Sequence, residues 1–174
     1  AAIIGSISYH QMKDRPNVSL WSDISNALKG ELGGITGAPT LGTFIAFEGG
    51  EGTGKSTQSK LLKKWLEDRG ETVVLSREPG GTDLGQGLRK ILLGHETGEI
   101  SPRAEALLYA ADRAHHVYSV IRPALAKGEV VISDRYFDSS IAYQGAGRIL
   151  SPGEVARISR WATESLFPTL TIVI

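Results

Sequence analysis

The chain contains no cysteine. That absence excludes a disulfide framework, a thiolate metal site and a cysteine nucleophile. It fits a reducing compartment, and a cytoplasmic location is expected. An excess of charge of either sign is also missing. The 19 basic residues balance the 19 acidic ones, so the overall charge points neither to nucleic acid nor to a membrane surface. An anion site in this chain has to come from local clustering. No apolar run approaches the roughly 18 residues of a membrane span. The N-terminus has no signal-peptide pattern and does not begin with Met. The last residues, "TLTIVI", stop inside an apolar run. Both ends look cut, and the expectation is a piece of a longer protein. The 174 residues suit one compact domain with a real core.

What is present centres on Phe44 to Gln58, "FIAFEGGEGTGKSTQ". It contains G-x-x-x-x-G-K-S, with Gly49, Gly54, Lys55 and Ser56 in the fixed places. An apolar segment, Phe44 to Phe47, precedes it. A helical pattern with Leu61, Leu62, Trp65 and Leu66 follows. Strand, glycine loop and helix form the context in which this motif binds phosphate. Glycines let successive backbone N–H groups turn inward, and the helix N-terminus adds unpaired donors and a positive dipole end. Lys55 reaches the β- and γ-phosphates, and the Ser56 hydroxyl can ligate Mg²⁺.

Residues 1–40 differ from the rest and are expected to be an extension or linker. Leu20 to Lys29 has the spacing of a short amphipathic helix, with Trp21, Ile24 and Leu28 on one face. "GELGGITGAPTLG" reads as irregular chain. From residue 41 to 174 short apolar strands alternate with helices. Strands are expected at Thr43–Glu48, Thr72–Ser76, Val130–Ser133 and Leu170–Ile174. Helices are expected near Lys55–Arg69, Leu84–Leu93, Pro102–Lys127 and Pro152–Leu166. Near-continuous apolar strands imply burial on both faces, hence a three-layer α/β fold with a parallel sheet flanked by helices. Ser101-Pro102 looks like an N-cap and first helical position, and Ser151 to Glu154 fits a capping box. Pro123 is expected to kink or break the third helix.

Ligands of open α/β sheets sit beyond the carboxyl ends of the strands. The phosphate loop follows the first strand, Arg77-Glu78-Pro79-Gly80-Gly81-Thr82 the second, and Asp134-Arg135-Tyr136 the third. A shared polyanion site is the better reading of these charges than separate surface accidents. Asp134 helps hold Mg²⁺ or else pairs with a neighbouring Arg or caps a helix. Arg77 and Arg135 grip phosphate with bidentate forks or else form weak surface ion pairs. Glu105, Tyr109 and Arg113 share one helical face. They suit a base or sugar-phosphate ligand; the alternative is Tyr109 in the core with Arg113 snorkelling outward. The four histidines lack metal-ligand spacing and read as structural, and Trp65 and Trp161 as packing residues. In "SSIAYQGAGR", Ser140, Tyr143 and Gln144 either read a polar ligand or belong to an ordinary loop.

Together, "FEGGEGTGKST", "REPGGT", "YAADRA", "DRYFDSSIAYQGAGR" and "PTLTIVI" resemble the thymidylate kinases, the ATP:dTMP phosphotransferases. The resemblance runs from about Thr43 to Ile174 and implies the P-loop NTPase fold, truncated here after the fourth strand. It implies that Gly49, Gly50, Glu51, Gly52, Thr53, Gly54, Lys55, Ser56 and Thr57 hold the ATP phosphates. Ser56 and Asp134 would hold Mg²⁺. Glu51 would face the dTMP sugar hydroxyl, and Lys55 and Arg135 would act on the transferring phosphates. Arg77 and Glu78 would line the acceptor site. Tyr109 would stack on thymine, Arg113 would contact it, and Ser140 would hydrogen-bond the base. Tyr143 would crowd the sugar 2′ position, and Gln144 and Arg148 would complete the pocket. No arginine lies inside the phosphate loop, so the resemblance places the transition-state arginine in a lid beyond Ile174, and a chain without it would turn over poorly. A homodimer is implied as well. Some bacterial relatives carry a membrane domain ahead of the kinase, and residues 1–40 look like a junction of that kind. The rival readings are another nucleotide kinase, a catalytically silent nucleotide-binding module, or a GTP-binding switch. The last should carry N-K-x-D, which does not occur here.

Overall fold

The structure, a computed structural model, describes residues 3–6, 42–94, 98–137 and 151–174. Its centre is β2 (Phe44–Glu48), in which every residue is buried. Five buried residues in a row need cover on both faces, and a parallel sheet gets that from helices on each side. The remaining strands are β1 (Ile3–Ser6), β3 (Val73–Arg77), β4 (Val130–Asp134) and β5 (Leu170–Val173). They lie in the order β1-β5-β2-β4-β3, and all four pairings are parallel. The helices are α1 (Lys55–Glu67), α2 (Asp83–Leu93), α3 (Pro102–His116), α4 (Arg122–Ala126) and α5 (Pro152–Ala162).

Side chains alternate across β2, and the two faces build two cores. Ile45 and Phe47 pack with Leu62 and Leu66 of α1, Ile132 of β4 and Ile172 of β5. Phe44 and Ala46 pack with Val117, Ile121, Ala124, Val131 and Tyr136. Each large apolar side chain buried in this way contributes about 1.5–3 kcal/mol. The register aligns the strand ends: Phe47 is opposite Asp134, and Asp134 is opposite Arg77. The loops after β2, β3 and β4 therefore leave the sheet at one level.

Four of the strands fall within a residue or so of their expected places. The fifth, β1, does not come from the expected domain. Residues 1–40 read as extension, yet Ile3–Ser6 pairs with β5, Ile3 opposite Leu170. The four residues Ile-Ile-Gly-Ser are too few for periodicity to reveal, and their partner lies at the far end of the chain. The caps agree with expectation. Ser101 accepts from the Ala104 amide at 3.4 Å, and Ser151 and Glu154 form the reciprocal capping box. Pro123 does not break its helix. The chain widens into a π-helical turn over Val117–Ile121, with the Arg122 N–H bonded to the Val117 carbonyl, and α resumes with Pro123 in its first turn. Widening the turn ahead of the proline accommodates a ring that would otherwise clash with a carbonyl. Trp161 is not a packing residue: it is 81% exposed. Val155, Ser159 and Ala162 form the buried stripe of α5, and Trp161 falls outside it.

Gly42 enters β2 where the α4–β4 turn crosses it, and its amide donates to the Leu125 carbonyl at 2.8 Å. A Cβ there would lie 2.1 Å from the Glu129 carbonyl oxygen and 2.9 Å from the Leu125 Cα. Both obstacles are backbone and cannot swing aside. Gly42→Ala is expected to destabilise the fold by about 1–3 kcal/mol. The urea midpoint should fall with little change in slope.

Candidate active site

The loop between β2 and α1 has Gly49, Gly52 and Gly54 at φ of 136°, 72° and 96°. Side chains rarely accept these values, which is why the loop is built of glycine. Gly54 sits at the N-cap of α1, and no side chain caps the helix. Its opening amides are left for an anion. Lys55 is only 6% exposed. Its ammonium bonds the Gly50 carbonyl and reaches the Thr53 hydroxyl at 3.4 Å. Burial, then the nearby Arg135 charge, holds the Lys55 pKa below the ordinary lysine value. Glu51 is exposed at the turn of the loop.

The loop after β4 closes on the same place. The Ser56 hydroxyl donates to Asp134 Oδ2, so the two oxygen groups expected to hold a divalent cation are in contact. Arg135 has φ of 74°, a left-handed backbone that costs a non-glycine residue about 1–2 kcal/mol. Three bonds hold it there. Its amide donates to the Phe47 carbonyl at 2.8 Å, its carbonyl accepts from Ser133 Oγ at 2.7 Å, and its guanidinium donates to the Gly49 carbonyl at 3.1 Å. Buried Glu48 supports the same turn by accepting from the Tyr136 amide at 2.9 Å. A cleft of about 450 Å³ opens beside these groups, lined by Ser56, Ser59, Lys60, Ser76, Arg77 and Asp134 among others. Lys55 and Arg135 thus meet on the phosphate loop, and Arg77 shares the adjoining cleft with Ser56 and Asp134.

Glu78 and Arg113 lie behind this rim, in the interior. Arg113 is 2% exposed. It donates to Glu78 Oε2 at 2.7 Å, to Ser159 Oγ at 3.0 Å and to the Tyr136 carbonyl at 3.3 Å. The guanidinium turns inward, the opposite of the outward-snorkelling alternative. Half-buried Tyr109 lies one turn earlier on α3. The second Glu78 oxygen is 2.9 Å from His116 Nδ1. Burial pushes the Glu78 pKa up, but Arg113 and His116 outweigh it and hold the carboxyl below its usual range. Asp112 accepts from the Gly80 amide at 3.2 Å, and its other oxygen has no hydrogen-bond partner in the structure. Burial, then the Glu78 charge, pushes its pKa up.

Ser140, Tyr143, Gln144 and Arg148 lie outside the described residues, as do His10 and His95. Among the described residues no group of three or more His, Cys, Asp or Glu can hold a metal, and no helix is long and apolar enough to cross a membrane. Sequence reasoning missed Glu48, Asp112, His116 and Arg89, which donates to the Pro79 carbonyl at 2.9 Å. The signal for His116 was present: Asp112, Arg113 and His116 are spaced to share a face of α3. For Glu48 it was a carboxylate closing an otherwise apolar strand.

A thymidylate kinase family model matches residues 47–174. A thymidylate kinase of Leifsonia xyli is 64% identical over 133 residues, covering 76% of this chain and 63% of the relative. That of Clavibacter sepedonicus is 62% identical over the same shares. The chain thus spans 63% of the length of these curated relatives. The crystal structure of thymidylate kinase from Ehrlichia chaffeensis superposes with a TM-score of 0.72 at 36% identity, covering 77% of this chain and 76% of that one.

The raised Asp112 pKa has a stability consequence of definite sign. Unfolded, the carboxyl titrates near 3.8. Its folded value is higher, so its contribution is fully present below the unfolded value and is lost as pH rises through the folded one. Asp112→Asn cannot ionise and keeps an acceptor for the Gly80 amide. The variant should gain stability relative to the wild type as pH rises from the unfolded value through the higher folded one, and little at the acid end. Urea titrations across that range measure the gap.

Proposed function

Because the chain belongs to the thymidylate kinase family, we propose that the protein transfers the γ-phosphoryl group of ATP to dTMP, giving dTDP and ADP. One observation supports this most: the glycine cradle with Lys55, the Ser56–Asp134 pair and Arg135 share one rim of the sheet. The acceptor oxygen belongs to a phosphate monoester, whose second pKa is about 6. It is mostly anionic at neutral pH, so the reaction needs no general base. What it needs is tolerance of like charge. Two unit charges about 4 Å apart repel by roughly 4 kcal/mol at an effective dielectric near 20. Lys55 and the loop amides face the donor phosphates, Arg77 and Arg135 face the acceptor phosphate, and the chemistry is positioning plus charge stabilisation.

Ser56 and Asp134 offer a hydroxyl and a carboxylate, oxygen donors of the kind Mg²⁺ takes alongside water and substrate phosphates. When bound there, Mg²⁺ would neutralise charge on the transferring phosphates. We assign Glu51 to the sugar hydroxyl, Tyr109 to stacking on the base, and Ser140, Tyr143, Gln144 and Arg148 to the rest of the nucleotide pocket. Glu78 and Arg113 form the wall behind it. A homodimer in the cytoplasm completes the reading.

Steady-state ADP release by the whole protein with dTMP, dUMP, dGMP and AMP tests it. The expected result is a clear preference for dTMP. Equal rates with AMP, or ADP release indifferent to the acceptor, would overturn it. Lys55→Met should lower kcat by about 10²-fold or more, the cost of one pre-organised charge-stabilising donor. Arg135→Ala should raise the dTMP KM more than the ATP KM.

A further inference from the structure

His116 is fully buried at the end of α3, and both ring nitrogens are engaged. Nδ1 lies 2.9 Å from Glu78 Oε1, and Nε2 lies 2.6 Å from Ser76 Oγ. An ionised carboxylate only accepts, so the proton on Nδ1 is fixed by Glu78. Nε2 then either accepts from the Ser76 hydroxyl or donates to it. In both cases the order Ser76–His116–Glu78 is the same.

This order is also that of a nucleophilic triad, but two observations exclude that use here. Gly81 covers the hydroxyl: a Cβ on it would lie 2.5 Å from Ser76 Oγ and 2.8 Å from His116 Nε2. The other Glu78 oxygen already carries the Arg113 ion pair, so the carboxylate is not reserved for an imidazolium. What remains is a mechanical role. Ser76 and Glu78 flank Arg77. Both of their side chains reach His116, although Ser76 also borders the cleft. Arg77 is exposed and lines the cleft, while Glu78 is buried. The imidazole therefore clamps the residues on either side of the one that faces the ligand.

We propose that His116 is a positioning residue for the acceptor site, holding the Arg77–Gly81 loop through Ser76 and Glu78 so that Arg77 meets the acceptor phosphate. The acceptor part of this rests on the kinase reading above; the clamp on the loop does not. In the whole protein, His116→Ala is expected to raise the dTMP KM by about 10-fold or more, the effect of one lost charge-assisted hydrogen bond. The ATP KM should stay within about twofold, because the phosphate loop makes no bond to His116. His116→Asn can place an amide N–H where Nδ1 was and should restore most of the acceptor affinity. His116→Gln reaches only the Ser76 side and should restore less.

Amide hydrogen exchange reads the clamp without reference to activity. Residues 77–81 should exchange faster in His116→Ala and recover in His116→Asn, with residues 49–57 unchanged. Unchanged exchange at 77–81, or equal recovery by Asn and Gln, would overturn the proposal, as would a parallel rise in both KM values. If His116→Ala does not fold, the Asn and Gln variants still decide it. A wild type that ignores dTMP would end the kinase reading and leave the exchange result to judge the clamp.

Discussion

Phe47, Asp134 and Arg77 lie abreast in neighbouring strands, and every later feature of the site depends on that register. A parallel sheet delivers each chain to the same edge in the same direction, so residues far apart in sequence leave it side by side. Ser56 and Asp134 are 78 positions apart and touch; Arg135 reaches Gly49 across 86. A slip of one residue in the β2–β4 pairing would turn each side chain to the opposite face and separate the groups that meet.

Like charges are gathered here, and backbone carbonyls help to hold them. Lys55 rests on the Gly50 carbonyl and Arg135 on the Gly49 carbonyl. Beneath them, Arg113 is held by the Glu78 carboxylate. That difference separates the two layers of the site. Cations at the rim can exchange a carbonyl for a phosphate at small cost. The pair beneath is fully desolvated, and removing either partner would leave a buried charge uncompensated.

Much of this was legible in the sequence, for reasons particular residues make plain. Phe44 to Glu48 read as a two-faced buried strand because its apolar run is continuous, and the loop after it read as a phosphate cradle because the motif fixes both composition and spacing. Asp134 and Ser56 were expected together on the same grounds. Arg113 was placed on the correct helical face but not at the correct depth. Periodicity says which side a residue is on, and only the presence of Glu78, Ser159 and Tyr136 around it says that a guanidinium is satisfied inside. His116 was read as structural, which its burial bears out, but its partners Ser76 and Glu78 could not be named from the helix alone. The pairing of Ile3–Ser6 with β5 is a contact between the two ends of the chain, and nothing local encodes it.

The π-helical turn between α3 and α4 changes the phase of a single rod. One residue added to a turn rotates everything after it by about 100° relative to an uninterrupted α-helix. Just before the turn, the inward stripe is polar: Asp112, Arg113 and His116, all buried. From the turn onward it is apolar: Val117, Ile121 and Ala124, set against Phe44 and Val131. The same helix thereby supplies the ionic wall behind the cleft and then the greasy cover of the sheet, without a loop between the two tasks.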